Sequence, residues 1–183
     1  MTPPAASVAA DADRYPVGRF AYDAPNDPAA RAAVATLAAL PSDLRALVAG
    51  ATGDALDTPY RTGGWTARQV VHHLADSHAN AVIRVRLALT EDAPTIKPYD
   101  EARWADLTDA RTLDVAPSLA VLDGLHARWT ALLDSLDEAA FARTFVHPER
   151  GRTYTLDEAT RMYAWHSRHH LAHIARALER HRA

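Results

Sequence analysis

Helical periodicity, with capping signatures that mark where it begins, is the feature that most limits what this chain can fold into. Thr66 with Gln69, and Thr155 with Glu158, each place a hydroxyl at an N-cap and a longer polar side chain three residues on, the pattern of a reciprocal capping box. From these starts the helical pattern runs to about Leu89 and to about Arg180. Asp27-Pro28 offers an N-cap followed by proline at the first helical position, and Val34, Leu37, Leu44, Leu47 and Val48 carry that helix to about Ala49. Pro41 falls inside this run and predicts a kink or break. Leu119, Leu122, Leu125, Trp129, Leu132, Leu133 and Leu136 build the remaining long helix.

The connections are uneven. Pro94 and Pro98 interrupt the stretch from Thr90 to Ala116, and Pro117 closes it. Apart from a short helix around Trp104, that stretch reads as a long crossover. A helical turn is expected around Phe141, and a small hairpin between Thr144 and Thr155 around Glu149-Arg150-Gly151. Residues 1–27, rich in proline and alanine and without period, read as an extended arm that packs through Tyr15, Phe20 and Tyr22. Residues 28–183 read as a single domain, since 183 residues suit one compact core. The order predicts an all-α four-helix bundle with a long crossover between its second and third helices.

Composition narrows the chemistry. With no cysteine, disulfides, thiolate metal sites and a cysteine nucleophile are excluded, and a zinc-type ion needs imidazole or carboxylate ligands. The net charge of −3 is dispersed, so neither nucleic acid nor an anionic membrane is expected as a partner. No basic cluster followed by an apolar run opens the chain, and no stretch approaches the ~20 apolar residues of a bilayer span. The cytoplasm is therefore the expected compartment and a small molecule the expected substrate. Ten histidines, several crowded into two short segments, are the unusual feature.

A helix turns about 100° per residue, so faces follow from position. On the last helix His166, His169, His170 and His173 share one stripe, as two interlocking i, i+4 pairs: His166/His170 and His169/His173. Each pair puts its Cβ atoms ~5–6 Å apart, close enough for two imidazoles to share an ion. Such a pair also occurs on solvated faces, but burying four histidines without a ligand is costly. On the second helix His73 lies on a polar strip with Gln69, Asp76, Ser77, Asn80 and Arg84, beside an apolar arc. His72 points away from that arc and is expected to be exposed. His78 falls within it, as a core histidine or one lining a site. Two histidines from one helix and one from another would make a three-nitrogen site with an open position, the pattern of catalytic rather than structural zinc. Spacing alone does not choose between the two pairs.

The run Gly63-Gly64-Trp65-Thr66-Ala67-Arg68-Gln69-Val70-Val71-His72-His73-Leu74-Ala75-Asp76-Ser77-His78 resembles the YfiT-like branch of the DinB superfamily. So do Ile96-Lys97-Pro98-Tyr99-Asp100-Glu101, Leu125-His126-Ala127-Arg128-Trp129-Thr130-Ala131-Leu132-Leu133 and Tyr163-Ala164-Trp165-His166-Ser167-Arg168-His169-His170-Leu171-Ala172-His173-Ile174. The resemblance implies a DinB-like four-helix bundle, a homodimer, and one zinc or nickel ion held by His73, His166 and His170. It also implies a metal-dependent hydrolase that activates water. The wider superfamily suggests an alternative, a transferase of low-molecular-weight thiols such as bacillithiol that holds the thiolate on the same metal. A non-catalytic metal-binding stress-response module is the third reading. Asp76, one turn from His73, is the candidate to orient that imidazole or accept a proton. Metal affinity is expected to weaken as pH drops through ~6.5, where protons compete for imidazole.

Overall fold

The computed structural model describes residues 13–183, so the first twelve residues of the expected arm lie outside the described residues. Four long helices are present: α1 (Asp27–Val48), α2 (Ala67–Thr90), α3 (Ala116–Asp134) and α4 (Leu156–Arg182). Asn26, rather than Asp27, caps α1. Asn26 holds the extended backbone an N-cap needs, its side chain accepts from the Ala29 N–H, and Asp27 is already helical. At α2 the Thr66/Gln69 box closes in both directions. At α4 half of the expected box forms. Thr155 Oγ1 accepts from the Glu158 N–H at 3.1 Å, but both oxygens of Glu158 accept from Arg152 at 2.8 Å. That charge-assisted pair takes the place of the reciprocal bond. Helix α3 starts earlier than its apolar pattern, because Pro117 sits in the first turn, where a missing N–H costs nothing.

Helix α1 continues through Pro41, which is buried. Helices α1 and α2 each pack against α3 and α4, so the first two lie across the bundle's diagonal. Long connections permit this. The first contains a short helix, Gly53–Leu56, capped by Thr52; four residues are too few to show a period. The crossover contains two short helices, Glu101–Ala105 and Thr108–Thr112, where one was expected. After a turn at Glu138–Phe141, strands β1 (Thr144–His147) and β2 (Arg152–Thr155) form the expected hairpin, with Thr144 opposite Thr155 and His147 opposite Arg152. Gly151 closes it at φ 59°, a left-handed conformation that favours glycine.

The described part of the N-terminal segment lies along α4. Trp165 donates to the Gly18 carbonyl at 3.1 Å, and Arg161 donates to that of Ala24 at 2.8 Å. The apolar core is divided. One half gathers Val34, Leu37, Val85, Trp129, Leu133 and Tyr163; the other gathers Leu40, Leu44, Val70, Leu74, Leu122 and Ile174. Between the two halves, on α2, α3 and α4, sit buried histidines. Among the described residues no helix is long and apolar enough to cross a membrane.

Candidate metal centre

His73 on α2 and His166 and His170 on α4 converge from two helices. One nitrogen from each lies within 4.8 Å of the other two. His73 Nε2 and His166 Nε2 are 3.2 Å apart, and the His170 ring lies 4.3 Å from that of His166 and 4.8 Å from that of His73. Burial, and then the charge of neighbouring His169, pushes His73 down to about 4. Burial likewise holds His166 and His170 well below the usual histidine range, and each neighbouring ring adds to the effect. All three are neutral at pH 7, the state in which imidazole binds metal.

These residues fit a divalent ion. Two nitrogens each ~2.0–2.1 Å from a tetrahedral ion are about 3.3 Å apart, close to the separation seen between His73 and His166. An all-imidazole set with no sulfur suits a divalent first-row transition metal. The three rings form part of the wall of a cavity of about 670 Å³, which Trp65, Tyr99, Arg84, Tyr163 and Glu158 also line.

The second pair on α4 forms its own group: His169, His170 and His173 also bring one nitrogen each within 4.8 Å. Its surroundings differ. His173 stacks on Tyr60 at 3.9 Å and His169 on Trp165 at 4.6 Å. Arg176 and Arg61 add positive charge at His173, which disfavours a cation. Neither His169 nor His173 lines the cavity. The nitrogens of both groups converge equally well, and what differs between two pairs of identical sequence spacing is the surroundings.

A family model described as the DinB superfamily matches residues 17–174. The chain belongs to the DinB superfamily. A Bacillus licheniformis protein named "Putative metal-dependent hydrolase" is 51% identical over 162 residues, covering 88% of this chain and 92% of its own. The "Putative metal-dependent hydrolase YfiT" of Bacillus subtilis is 52% identical over 141 residues, covering 77% and 79%. The solved structure of the Bacillus subtilis YfiT, described as a probable metal-dependent hydrolase with an unusual four-helix bundle topology, superposes with a TM-score of 0.89. It has 46% identity over 93% of this chain and 98% of that one.

Within this DinB-superfamily bundle, other residues stand where the sequence did not put them. Asp76 is not among the residues that line the cavity. Its carboxyl pKa is raised by burial and then by the nearby Asp109, with His72 acting in the opposite direction. Three residues on from His73 is about 60° short of a full turn, which carries Asp76 to the flank under the crossover. His72, expected in solvent, is 6% exposed. Its Nδ1 lies 2.7 Å from Ser118 Oγ and its Nε2 3.2 Å from the Leu113 carbonyl. The crossover folds back over that face, which periodicity within α2 does not report. His78 has no exposure and touches the site directly, its Nε2 3.2 Å from His166 Nδ1. His126 was not singled out as a site residue, yet its Nε2 lies 2.8 Å from His78 Nδ1. The available signal was a histidine on the apolar stripe of α3, four residues after Leu122 and three before Trp129.

Proposed function

We propose that the chain is a metal-dependent hydrolase of a small molecule, using one zinc or nickel ion held by His73, His166 and His170. The observation that carries this reading is the convergence of three neutral imidazoles on the wall of a cavity large enough for a substrate. The names of the relatives support it. When bound, such an ion supplies a Lewis acid that polarises a substrate oxygen and lowers the pKa of water to ~7.

The remaining tasks fall to the chain's own side chains. Arg84 donates to the Tyr163 hydroxyl at 3.0 Å, while its Nε is buried without a hydrogen-bond partner. Arg84 lines the cavity, where its guanidinium can take an acceptor group of the substrate. Burial raises the Tyr99 hydroxyl well above its ordinary value, so it stays a phenol and offers a hydrogen. Glu158 is held by Arg152 and is therefore a poor general base. Trp65 packs against His73 with ring centroids 4.9 Å apart, and Tyr163 against His166 at 5.9 Å, so aromatic faces cover part of the ring cluster.

One observation favours a second reading. Arg84, Arg150 and Arg152 line the same cavity, and a carboxylate-bearing thiol cofactor would use such donors in an S-transferase. Titrating the metal-free chain with zinc and with nickel, then assaying hydrolysis and thiol conjugation on parallel panels, separates the readings. Metal-dependent hydrolysis without thiol supports the hydrolase; thiol-dependent turnover replaces it with the transferase. A filled site with neither activity points to a binding module. A homodimer working in the cytoplasm is part of the same proposal.

A further inference from the structure

Four of the histidines between the core halves, His126, His78, His166 and His73, form one hydrogen-bonded chain, and its far end is made by a proline. Residue 41 lies four positions after Leu37, so its N–H would bond the Leu37 carbonyl in an ordinary helix; proline has none. The released carbonyl is met instead by Nδ1 of His126 on α3, at 2.7 Å. His126 Nε2 lies 2.8 Å from His78 Nδ1, and His78 Nε2 lies 3.2 Å from His166 Nδ1. His166 Nε2 then faces His73. His78 and His126 are 0% and 1% exposed, so water does not compete for these bonds.

A carbonyl oxygen only accepts. Nδ1 of His126 therefore carries the proton, and a neutral ring is then bare at Nε2. That bare nitrogen requires N–H at His78 Nδ1, which leaves His78 Nε2 bare and requires N–H at His166 Nδ1. A doubly protonated ring at His78 or His126 would be a charge out of reach of water, and the 3.2 Å approach of His166 Nε2 to His73 Nε2 has room for one proton between them, not two. Each assignment forces the next, and the last leaves His166 Nε2 as a lone pair.

We propose that His126 and His78 are positioning residues which, anchored by the Leu37 carbonyl that Pro41 leaves free, lock His166 in its Nδ1–H tautomer with Nε2 turned toward the metal. The metal clause rests on the ligand assignment made above. The chain ends on a main-chain carbonyl inside the core, so it has nowhere to pass a proton: it orients and does not conduct. His170 has a longer version of the same arrangement. Its Nδ1 is 3.4 Å from His173 Nδ1, whose Nε2 lies 3.3 Å from the Arg14 carbonyl.

Long-range proton–nitrogen NMR correlations of the imidazoles in the metal-free full chain at neutral pH test this directly. His126, His78 and His166 should all be protonated at Nδ1. Two variants extend the test: His126→Leu removes the acceptor for His78, and His126→Gln keeps an oxygen that accepts. The first should release the His166 tautomer and weaken zinc binding about 10- to 100-fold, and the second should retain most of both. Nε2–H at His78 or His166 in the wild type would overturn the proposal. So would a folded His126→Leu chain with an unchanged His166 tautomer. If that variant fails to fold, the wild-type tautomers decide alone. Three Nδ1–H rings in a chain that binds no zinc would refute the ligand assignment while leaving the tautomer lock in place.

Discussion

His73 and His166 meet Nε2 to Nε2 at 3.2 Å, one from α2 and one from α4. If the tautomer chain holds, the His166 nitrogen is a lone pair, so this contact is completed either by a proton on His73 or by a shared cation. Burial keeps both rings neutral, and the spacing matches what two ligands of a tetrahedral ion require. The contact joins the two helices that carry the candidate ligands.

His170→Ala should remove stoichiometric metal and leave the bundle folded. The side chain is buried on the cavity wall, and two imidazoles alone hold a divalent ion poorly. Metal content per purified chain, with helical circular dichroism as the control for folding, checks this. One tightly retained ion would contradict the ligand set.

Acid should destabilise the metal-free chain well before it titrates the folded site. His73 titrates at about 4 when folded, against 6.5 for a free ring, and His78, His126, His166 and His170 are lowered by burial as well. Between those values the unfolded chain binds protons that the folded chain refuses. Stability is therefore full above ~6.5 and falls as pH drops toward 4. His73 alone contributes on the order of 3 kcal/mol, large against a total of ~5–15 kcal/mol. Urea denaturation at several pH values should show this loss. Metal affinity, expected from sequence to weaken through ~6.5, should hold below that pH for as long as the fold survives, because burial lowers all three candidate ligands. Stability that stays flat between pH 7 and 5 would contradict the buried neutral cluster.

Pro41→Ala should move stability and affinity in different directions. The new N–H competes for the Leu37 carbonyl, so the helix gains a bond while the His126 anchor weakens. The carbonyl has two lone pairs, so weakening rather than loss is expected. Thermal stability should be kept or raised, and zinc affinity should fall roughly two- to tenfold. Calorimetric melting and zinc titration read the two effects separately. Affinity that follows stability would mean Pro41 matters only for the helix.

Arg84→Met should raise KM on whichever substrate class shows turnover by roughly 10- to 100-fold, the loss expected for a charged hydrogen bond, and leave metal content unchanged. Steady-state kinetics beside metal analysis checks this. An unchanged KM would remove Arg84 from substrate binding.

Much of this was legible because it is written in helical period. The four long helices, the Thr66 box and the hairpin follow from local signals that tertiary packing did not override. The stripe of His166, His169, His170 and His173 also follows from spacing. What was hidden depends on another element. His72 is covered by the crossover, and the crossover's Asp109 comes beside Asp76; the Asn26 cap, a local matter, differs by one residue from an equally plausible Asp27. The role of His126 appears only when α1 and α3 meet, because no single helix shows that Pro41 leaves a carbonyl waiting for it.

Anomalous diffraction at the zinc edge from zinc-loaded crystals tests the central claim most directly. A single site per chain is expected, ~2.0–2.1 Å from one nitrogen each of His73, His166 and His170. A peak seated instead between His169 and His173, or no ordered ion at any of these histidines, would contradict it.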